Sequence, residues 1–525
     1  RNIAWLSGGG DTTQHYLGWV FYRNGLWTWP LGLNPLFGLE ISSSIVYSDS
    51  IPLMAILGKL FSAWLPEPFQ YLGIWMLICF MLQSYFAWLL IGLFSEQLFL
   101  RMLGSALLVF APPMLFRLVV HIPLASQFVV LAALYLALRK TTSHRVFYWV
   151  SLLCISLLIN FYLFFMAACI WIADFLDRRF VIKSIAARPA VVEIGTVVFF
   201  VAMTFWQAGY LALQSSSASW GLGFYRMNML SVINPDGWSY FLERLYQNSV
   251  AGEYEGFNYF GLGLFVLLSI AVVRVVALRS WLAPHLQSHR YLLLCCIGLT
   301  LLSLSPQVGI GSMNWSMPMA DKLDFLSTLR SSGRLFWPAW YVLALVVIAW
   351  IIQSFDVKKA AIVLSLGLLI QVVDTSAKWW PRRQELLAHS GNVLSTPLQH
   401  PFWNAAAKHY RQVIKRTLVA NPPDWQILAG YAATQKMGTD SVYLARIDQQ
   451  KINQTNRKFD ELLDAELQTS FDPNSLYVID NVSVMPVLVR MNPQADLFAR
   501  IDNQNVLAPG WLSCATCLPI PIHLW

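Results

Sequence analysis

Three glycines, Gly8-Gly9-Gly10, run directly into Asp11, and His15 follows four residues later. Glycine tolerates unusual dihedrals and close approach to a ligand, while a carboxylate or an imidazole can accept and pass on a proton. If residues 11–22 form a helix, Asp11, His15 and Tyr22 share roughly one face, with Tyr16 beside them. Farther along lie Glu40, in Gly38-Leu39-Glu40-Ile41, and Asp49, in Ser48-Asp49-Ser50-Ile51-Pro52. Three carboxylates in one loop can supply a general base and a partner that tunes its pKa. Plainer roles stay open: Asp11 suits the N-cap of a helix after a glycine-rich turn, and Asp49 suits a cap ahead of Pro52 in a first turn.

Cations form the second group. Arg117 and His121 sit between two apolar runs, where an ionisable side chain is expensive and marks either a functional site or a group snorkelling to an interface. Arg330-Ser331-Ser332-Gly333-Arg334 precedes another apolar run. Two guanidiniums there suit a phosphate, which Arg holds through charge-assisted, often bidentate hydrogen bonds; ion pairs to Asp321 or Asp324 are the alternative. Between 214 and 259 come Tyr225, Arg226, Trp238, Tyr240, Glu253, Tyr254, Glu255 and Tyr259. Rings beside carboxylates suit stacking on sugars and binding their hydroxyls, and an interfacial aromatic belt accounts for them equally well.

The elements that must position these residues are membrane helices. Hydrophobic residues make up 57% of the 525 and charged residues only 12%, and the mean hydropathy is +0.52. These values exclude an ordinary soluble domain and indicate a polytopic α-helical membrane protein in contact with membrane lipids. The net charge of +8 then speaks to orientation, and no nucleic-acid partner is expected. Apolar runs lie near 70–94, 102–117, 121–138, 146–173, 190–212, 258–278, 291–304, 335–353 and 360–376. A full crossing takes ~20 residues. The interruption at Arg117 to Pro123 therefore predicts a hairpin of two short helices, and Asn160-Phe161-Tyr162 divides 146–173 into another pair. Basic connections around Arg139, Lys140 and Arg145, then Arg178, Arg179, Lys183 and Arg188, then Arg279 and Arg290, then Lys358 and Lys359 predict one cytoplasmic side. The segment 1–68, the turns at 117–123 and near 160, the loops 214–257 and 305–333 and everything after 378 then face outward. The chain starts at Arg1 without a basic-then-apolar leader, so a first transmembrane helix is expected upstream.

From Lys378 the charge density rises, predicting a membrane domain over 1–378, with its first outer loop at 1–68, and a periplasmic α/β domain over 379–525. Ser441-Val442-Tyr443-Leu444-Ala445 and Ser475-Leu476-Tyr477-Val478-Ile479 predict buried strands, with a helix around Asn456 to Thr469 between them. Cys514-Ala515-Thr516-Cys517 lacks a second pair to complete a zinc site, and in an oxidising compartment it reads as a local disulfide ahead of a functional dithiol. Cys79, Cys154, Cys169, Cys295 and Cys296 fall in apolar runs, where they pack as small hydrophobes. There is no convincing internal repeat.

Gly10-Asp11-Thr12-Thr13-Gln14-His15-Tyr16-Leu17-Gly18-Trp19, Pro30-Leu31-Gly32-Leu33-Asn34-Pro35 and the run from Ser43 to Pro52 resemble bacterial inner-membrane proteins of the GT-C glycosyltransferase superfamily. The Arg117 to His121 segment and Arg330-Ser331-Ser332-Gly333-Arg334-Leu335-Phe336-Trp337-Pro338 resemble them too, so the likeness covers most of the membrane domain. It implies a GT-C-like transmembrane fold with interfacial helices in the first outer loop, behind a leading helix. It also implies a polyprenyl-phosphate sugar donor and a catalytic acid in that loop, where Asp11 fits. Asp11 would be the general base of an inverting transfer, with Asp49 and Glu40 as further catalytic candidates. Arg330, Arg334 and Arg117 would neutralise the departing phosphate, and His15, Tyr16, His121, Tyr254 and Glu255 would bind substrate. The acceptor would be a lipid-linked or envelope glycan such as O-antigen, with a protein acceptor as the alternative. The membrane part has no adjacent Asp-Asp or Asp-Glu pair, unlike many GT-C members, so no cofactor is assigned and metal-independent chemistry is favoured. A flippase for lipid-linked saccharide, or a scaffold for envelope assembly, would be the rival classes. A flippase predicts inverted repeats and a polar path across the bilayer, neither of which is evident, and a scaffold leaves the four cations without a purpose.

Overall fold

The computed structural model describes residues 2–519 except 7, 42, 119–120, 141–142, 214–220, 274–286, 318–326, 395, 423 and 465–469. The described chain divides into two compact units. The first joins Arg1–Tyr71, Phe205–Ser217 and His389–Trp525; the second comprises Leu72–Thr204 and Ala218–Ala388. This division departs from the sequential boundary expected at 378/379. The reason lies in the backbone of the opening loop, whose buried polar groups must find partners. The Gly38 amide donates to the Thr439 carbonyl at 2.8 Å, Thr439 returns a bond to Leu36 at 2.9 Å, and Ala445 donates to Tyr47 at 2.7 Å. Gly32 donates to Gln207 at 2.8 Å. A Cβ on Gly32 would lie 1.9 Å from the Ala208 carbonyl oxygen, so that approach requires glycine.

The second unit is mostly helical. Among the described residues, four helices are long and apolar enough to cross a membrane: Leu72–Ile91, Ala187–Gln207, Ser332–Ser354 and Val357–Ala388. In its apolar 18-residue stretch Ser332–Ser354 is 78% buried, while the other three are 17–33% buried, which makes it the central helix and gives the others outward apolar faces. Apolar side chains on such faces suit lipid. Proline and asparagine set the breaks between shorter helices. The 102–117 run splits into Leu98–Val109 and Pro112–Arg117 at Pro112-Pro113. The 146–173 run splits into Arg145–Ile159 and Phe161–Leu176, where the Asn160 side chain accepts from the Tyr162 amide as an N-cap. Val357–Ala388 continues past Lys378, where the membrane part was expected to end.

Ion pairs and hydrogen bonds tie the helix ends together. At one end Asp174 takes bonds from Arg145 at 2.6 Å and Arg178 at 2.9 Å, and Glu193 binds Arg178 at 2.6 Å. Asp177 there accepts from the Tyr291 amide at 2.9 Å. At the other end Tyr162 accepts from the Ser331 amide at 2.9 Å, and Ser303 accepts from Met227 at 2.8 Å.

In the first unit, residues 389–525 carry a five-stranded sheet in the order Gly438–Thr439, Gln412–Arg416, Ser475–Ile479, Gln504–Ala508, Leu497–Ile501. The first three strands are parallel and the last two form an antiparallel hairpin. Its two-residue turn, Asp502-Asn503, has positive φ at both positions, as a type I′ turn requires. All five residues of Ser475–Ile479 are buried, as in a strand covered on both faces. The helix expected at 456–469 instead spans Gln449–Leu463, because Asp448 caps it by accepting from Gln450 and Lys451; 465–469 lie outside the described residues. Ser441, Val442 and Leu444 are buried and Tyr443 and Ala445 half-buried, but Ser441–Ala445 is not a strand. The Leu444 amide donates to Asn421 Oδ1 at 2.9 Å and its carbonyl accepts from Asn421 Nδ2 at 3.2 Å, so an asparagine side chain takes the place of a neighbouring strand.

Replacing Asp174 with Ala strands the buried Arg145. The expected cost is about 3–5 kcal/mol, read as a lower unfolding midpoint of the protein in detergent; an unchanged midpoint would show that the pair contributes nothing.

Candidate functional site

In the second unit, three of the expected cations converge on one carboxylate. Arg117 ends the helix Pro112–Arg117. Its Nη1 donates to Glu255 Oε2 at 2.7 Å and its Nη2 to the Glu255 carbonyl at 2.7 Å. Arg334 binds the same carboxylate in bidentate fashion, Nε to Oε2 and Nη2 to Oε1, both at 2.7 Å. His121 Nε2 lies 2.8 Å from Oε1. The Arg117 guanidinium is 4.9 Å from the Phe116 ring and 5.4 Å from Trp337, and that of Arg334 is 4.9 Å from Tyr162. These rings exclude water and accept cations on their faces.

Glycine makes the convergence possible. A Cβ on Gly333 would meet Gly256 Cα at 2.6 Å, and one on Gly256 would meet the Arg226 carbonyl oxygen at 2.3 Å. Only with bare backbone at both positions can the turn bearing Arg334 lie against the turn bearing Glu255. Asn258 Nδ2 clips the two, donating to Gly256 at 2.9 Å and Gly333 at 3.1 Å.

Burial would raise the Glu255 carboxyl, but the guanidiniums of Arg117 and Arg334, with the His121 imidazole, hold it well below the usual carboxylate range. Glu255 is thus the shared carboxylate of two guanidiniums and an imidazole. Side-chain exposure rises from 0% at Arg117 and 2% at Glu255 to 8% at Arg334 and 17% at His121, which marks the approachable side.

Other expected residues take different places. Arg330 is half-buried and makes no ion pair among the described residues; Asp321 and Asp324 lie outside them. Tyr254 packs edge-on against Tyr225. Glu253, grouped with the sugar-binding candidates, is neutralised by Arg226 at 2.9 Å. Arg226 also donates to Gln307, Asn314 and Ser249 at 2.6–2.7 Å, so this pair is a loop clamp. Sequence reasoning missed Tyr162 as a site residue; its signal was the helix break at Asn160.

The carboxylates of the opening loop belong to the first unit. Asp11 lies half-buried in the first turn of Gly10–Asn24, whose N-cap is Gly9 with no side-chain cap bond, so the expected capping role of Asp11 is corrected. Thr13 fixes this helix start, accepting from the Gly9 amide at 3.0 Å and donating to Leu6 at 2.5 Å. His15, expected to bind substrate, is fully buried, and its Nδ1 bonds the Ser48 carbonyl at 3.2 Å. Gln14 holds the neighbouring Tyr47 carbonyl at 3.1 Å. These two side chains position the backbone that carries Asp49, which is half-buried with φ 49°. Asp49 is not the cap of Pro52–Leu60; that place falls to Ile51. Glu40 forms an exposed ion pair with Lys458 at 3.0 Å, worth little in water. Tyr16 lines a cavity.

Cys514 and Cys517 are joined in a disulfide. His409 Nδ1 lies 3.9 Å from Cys517 Sγ, a neighbour that the sequence did not reveal. Among the described residues this is the one cluster of three metal-type ligands, and its sulfurs are bonded to each other.

A family model described as "Domain of unknown function (DUF6311)" matches residues 1–376, and one described as "DUF6311 C-terminal domain" matches residues 402–509. No curated protein and no solved structure matches.

Because the folded-state pKa of Glu255 lies below its unfolded value, its stabilisation is complete above about pH 4.3 and is lost as pH falls through the folded value. Glu255→Gln should cost about 3–5 kcal/mol at neutral pH and flatten the acid limb of the stability profile. Thermal unfolding between pH 7 and 3 checks this; an acid limb of unchanged slope would contradict the assignment.

Proposed function

The chain belongs to the DUF6311 family, and we propose that it is a GT-C-type membrane glycosyltransferase. It moves a sugar from a polyprenyl-phosphate donor to a cell-envelope glycan such as O-antigen, on the periplasmic side of a bacterial inner membrane. The observation that carries this reading is the convergence of Arg117, Arg334 and His121 on Glu255. A sugar bound through a phosphodiester brings one negative charge, which suits a site built from guanidiniums. As the glycosidic bond breaks, the leaving phosphate gains a second negative charge. Fixed cations of this kind favour the transition state over the ground state. The four membrane-length helices among the described residues suit a lipid-borne donor.

In this reading Asp11 is the general base. The acceptor hydroxyl oxygen attacks the anomeric carbon, its proton passes to Asp11, and the bond to the phosphate oxygen breaks with inversion. Arg117 and Arg334 neutralise the departing polyprenyl phosphate, and none of these roles calls on a metal.

Purified protein in nanodiscs should transfer labelled sugar from a synthetic polyprenyl-phosphate donor to extracted envelope glycan. Asp11→Asn should lower turnover at least ~1000-fold with donor binding retained, and Arg334→Gln should weaken donor binding at least ~10-fold. Full activity in the first variant removes Asp11 as base, and unchanged donor affinity in the second removes the phosphate role.

A further inference from the structure

The first unit contains a cavity of about 580 Å³, lined by residues of the opening segment 3–69 and of 392–436. Its volume falls within the ~300–1,000 Å³ of small-ligand sites. Trp19, Trp403, Tyr431 and Leu398 form its buried apolar floor. Six neutral amides also line it, Asn24, Asn392, Gln399, Asn404, Gln426 and Gln435. Gln435 Nε2 donates to Asn404 Oδ1 at 3.1 Å, which fixes this pair and leaves Gln435 Oε1 as an acceptor and Asn404 Nδ2 as a donor. The side chains of Asn24 and Gln426 make no hydrogen bond among the described residues.

The charged side chains of the cavity have protein partners. Arg23 donates to the carbonyls of Pro66, Ser62 and Leu65 at 2.8–3.0 Å, and Lys436 pairs with Glu67 at 3.2 Å on the rim. A phosphorylated or carboxylated ligand would therefore meet a guanidinium whose Nη donors are taken by backbone carbonyls, and a lipid tail would bury amides without partners at a cost. Amides both donate and accept, matching hydroxyl groups that do the same, and aromatic walls match the apolar C–H faces of a pyranose.

We infer that this cavity is a binding site for a neutral saccharide. The geometry stands without the proposed transfer; only the assignment of the bound sugar as part of the acceptor glycan rests on that reading. The cavity then selects neutral units of the glycan by amide contacts, apart from the phosphate-binding cluster of the second unit.

The test uses the full chain in nanodiscs without donor, titrated calorimetrically with lactose, N,N′-diacetylchitobiose, mannotriose and a galacturonic acid trimer. At least one neutral probe should bind, the acidic trimer should not, and Gln426→Leu or Asn404→Leu should weaken binding at least ~10-fold. Ligand-detected NMR on Gln426→Glu, which keeps the size of the side chain, separates lost contacts from lost folding. Binding by Arg334→Gln should match the unaltered protein, so a failed transfer assay and a failed saccharide site give different results. Absence of binding by all neutral probes, preference for the acidic trimer, or unchanged affinity in both leucine variants overturns the inference.

Discussion

A buried carboxylate shared by two guanidiniums and an imidazole governs the second unit. Glu255 pins three distant pieces of chain: the turn after Pro112–Arg117, its own segment, and the turn that opens the central helix Ser332–Ser354. None of these connections can shift without leaving a guanidinium stranded in an apolar setting, where the penalty is several kcal/mol. The paired glycines Gly256 and Gly333 are the steric condition for the arrangement, and the aromatic rings around it raise the strength of every charge–charge contact by keeping water away.

Connectivity distinguishes this cluster from two other buried ionic groups. Arg226 with Glu253 is one against one, and Arg145 and Arg178 with Asp174 and Glu193 are two against two. Those groups tie helices and loops together through pairs. At Glu255 a single carboxylate takes bonds from two guanidiniums and faces an imidazole, and exposure rises from Arg117 to Arg334 to His121.

The sequence made some of this legible and hid the rest. Helix breaks were readable because Pro112-Pro113 and Asn160 act locally, through a missing donor and a cap. Arg117 and Arg334 stood out because ionisable groups beside apolar runs are costly. Glu255 stood out too, as a sugar binder beside aromatic rings, but its meeting with them did not, because it lies 138 residues from one and 79 from the other and no local pattern encodes that distance. Ser441–Ala445 has the composition of a strand, yet Asn421 and the opening loop occupy its hydrogen bonds. Asp11 looked like a cap until Gly9 and Thr13 proved to do that work. His15 read as a reactive group, and its burial against Ser48 was invisible because it depends on a loop folding back 33 residues later.

The pairing of Phe37 with Thr439 has a temporal side. Their positions in the chain are 402 residues apart, and a ribosome adding ~5–20 residues per second needs on the order of tens of seconds to cover that distance. During this interval the opening segment has emerged while the strand edge that completes it does not yet exist. The backbone groups of Leu36 and Gly38 must stay hydrated or be held by another protein until the last quarter of the chain arrives. Maturation of this unit is therefore gated by synthesis of its C-terminal sheet, and a chain cut short before Thr439 leaves the opening loop unfinished.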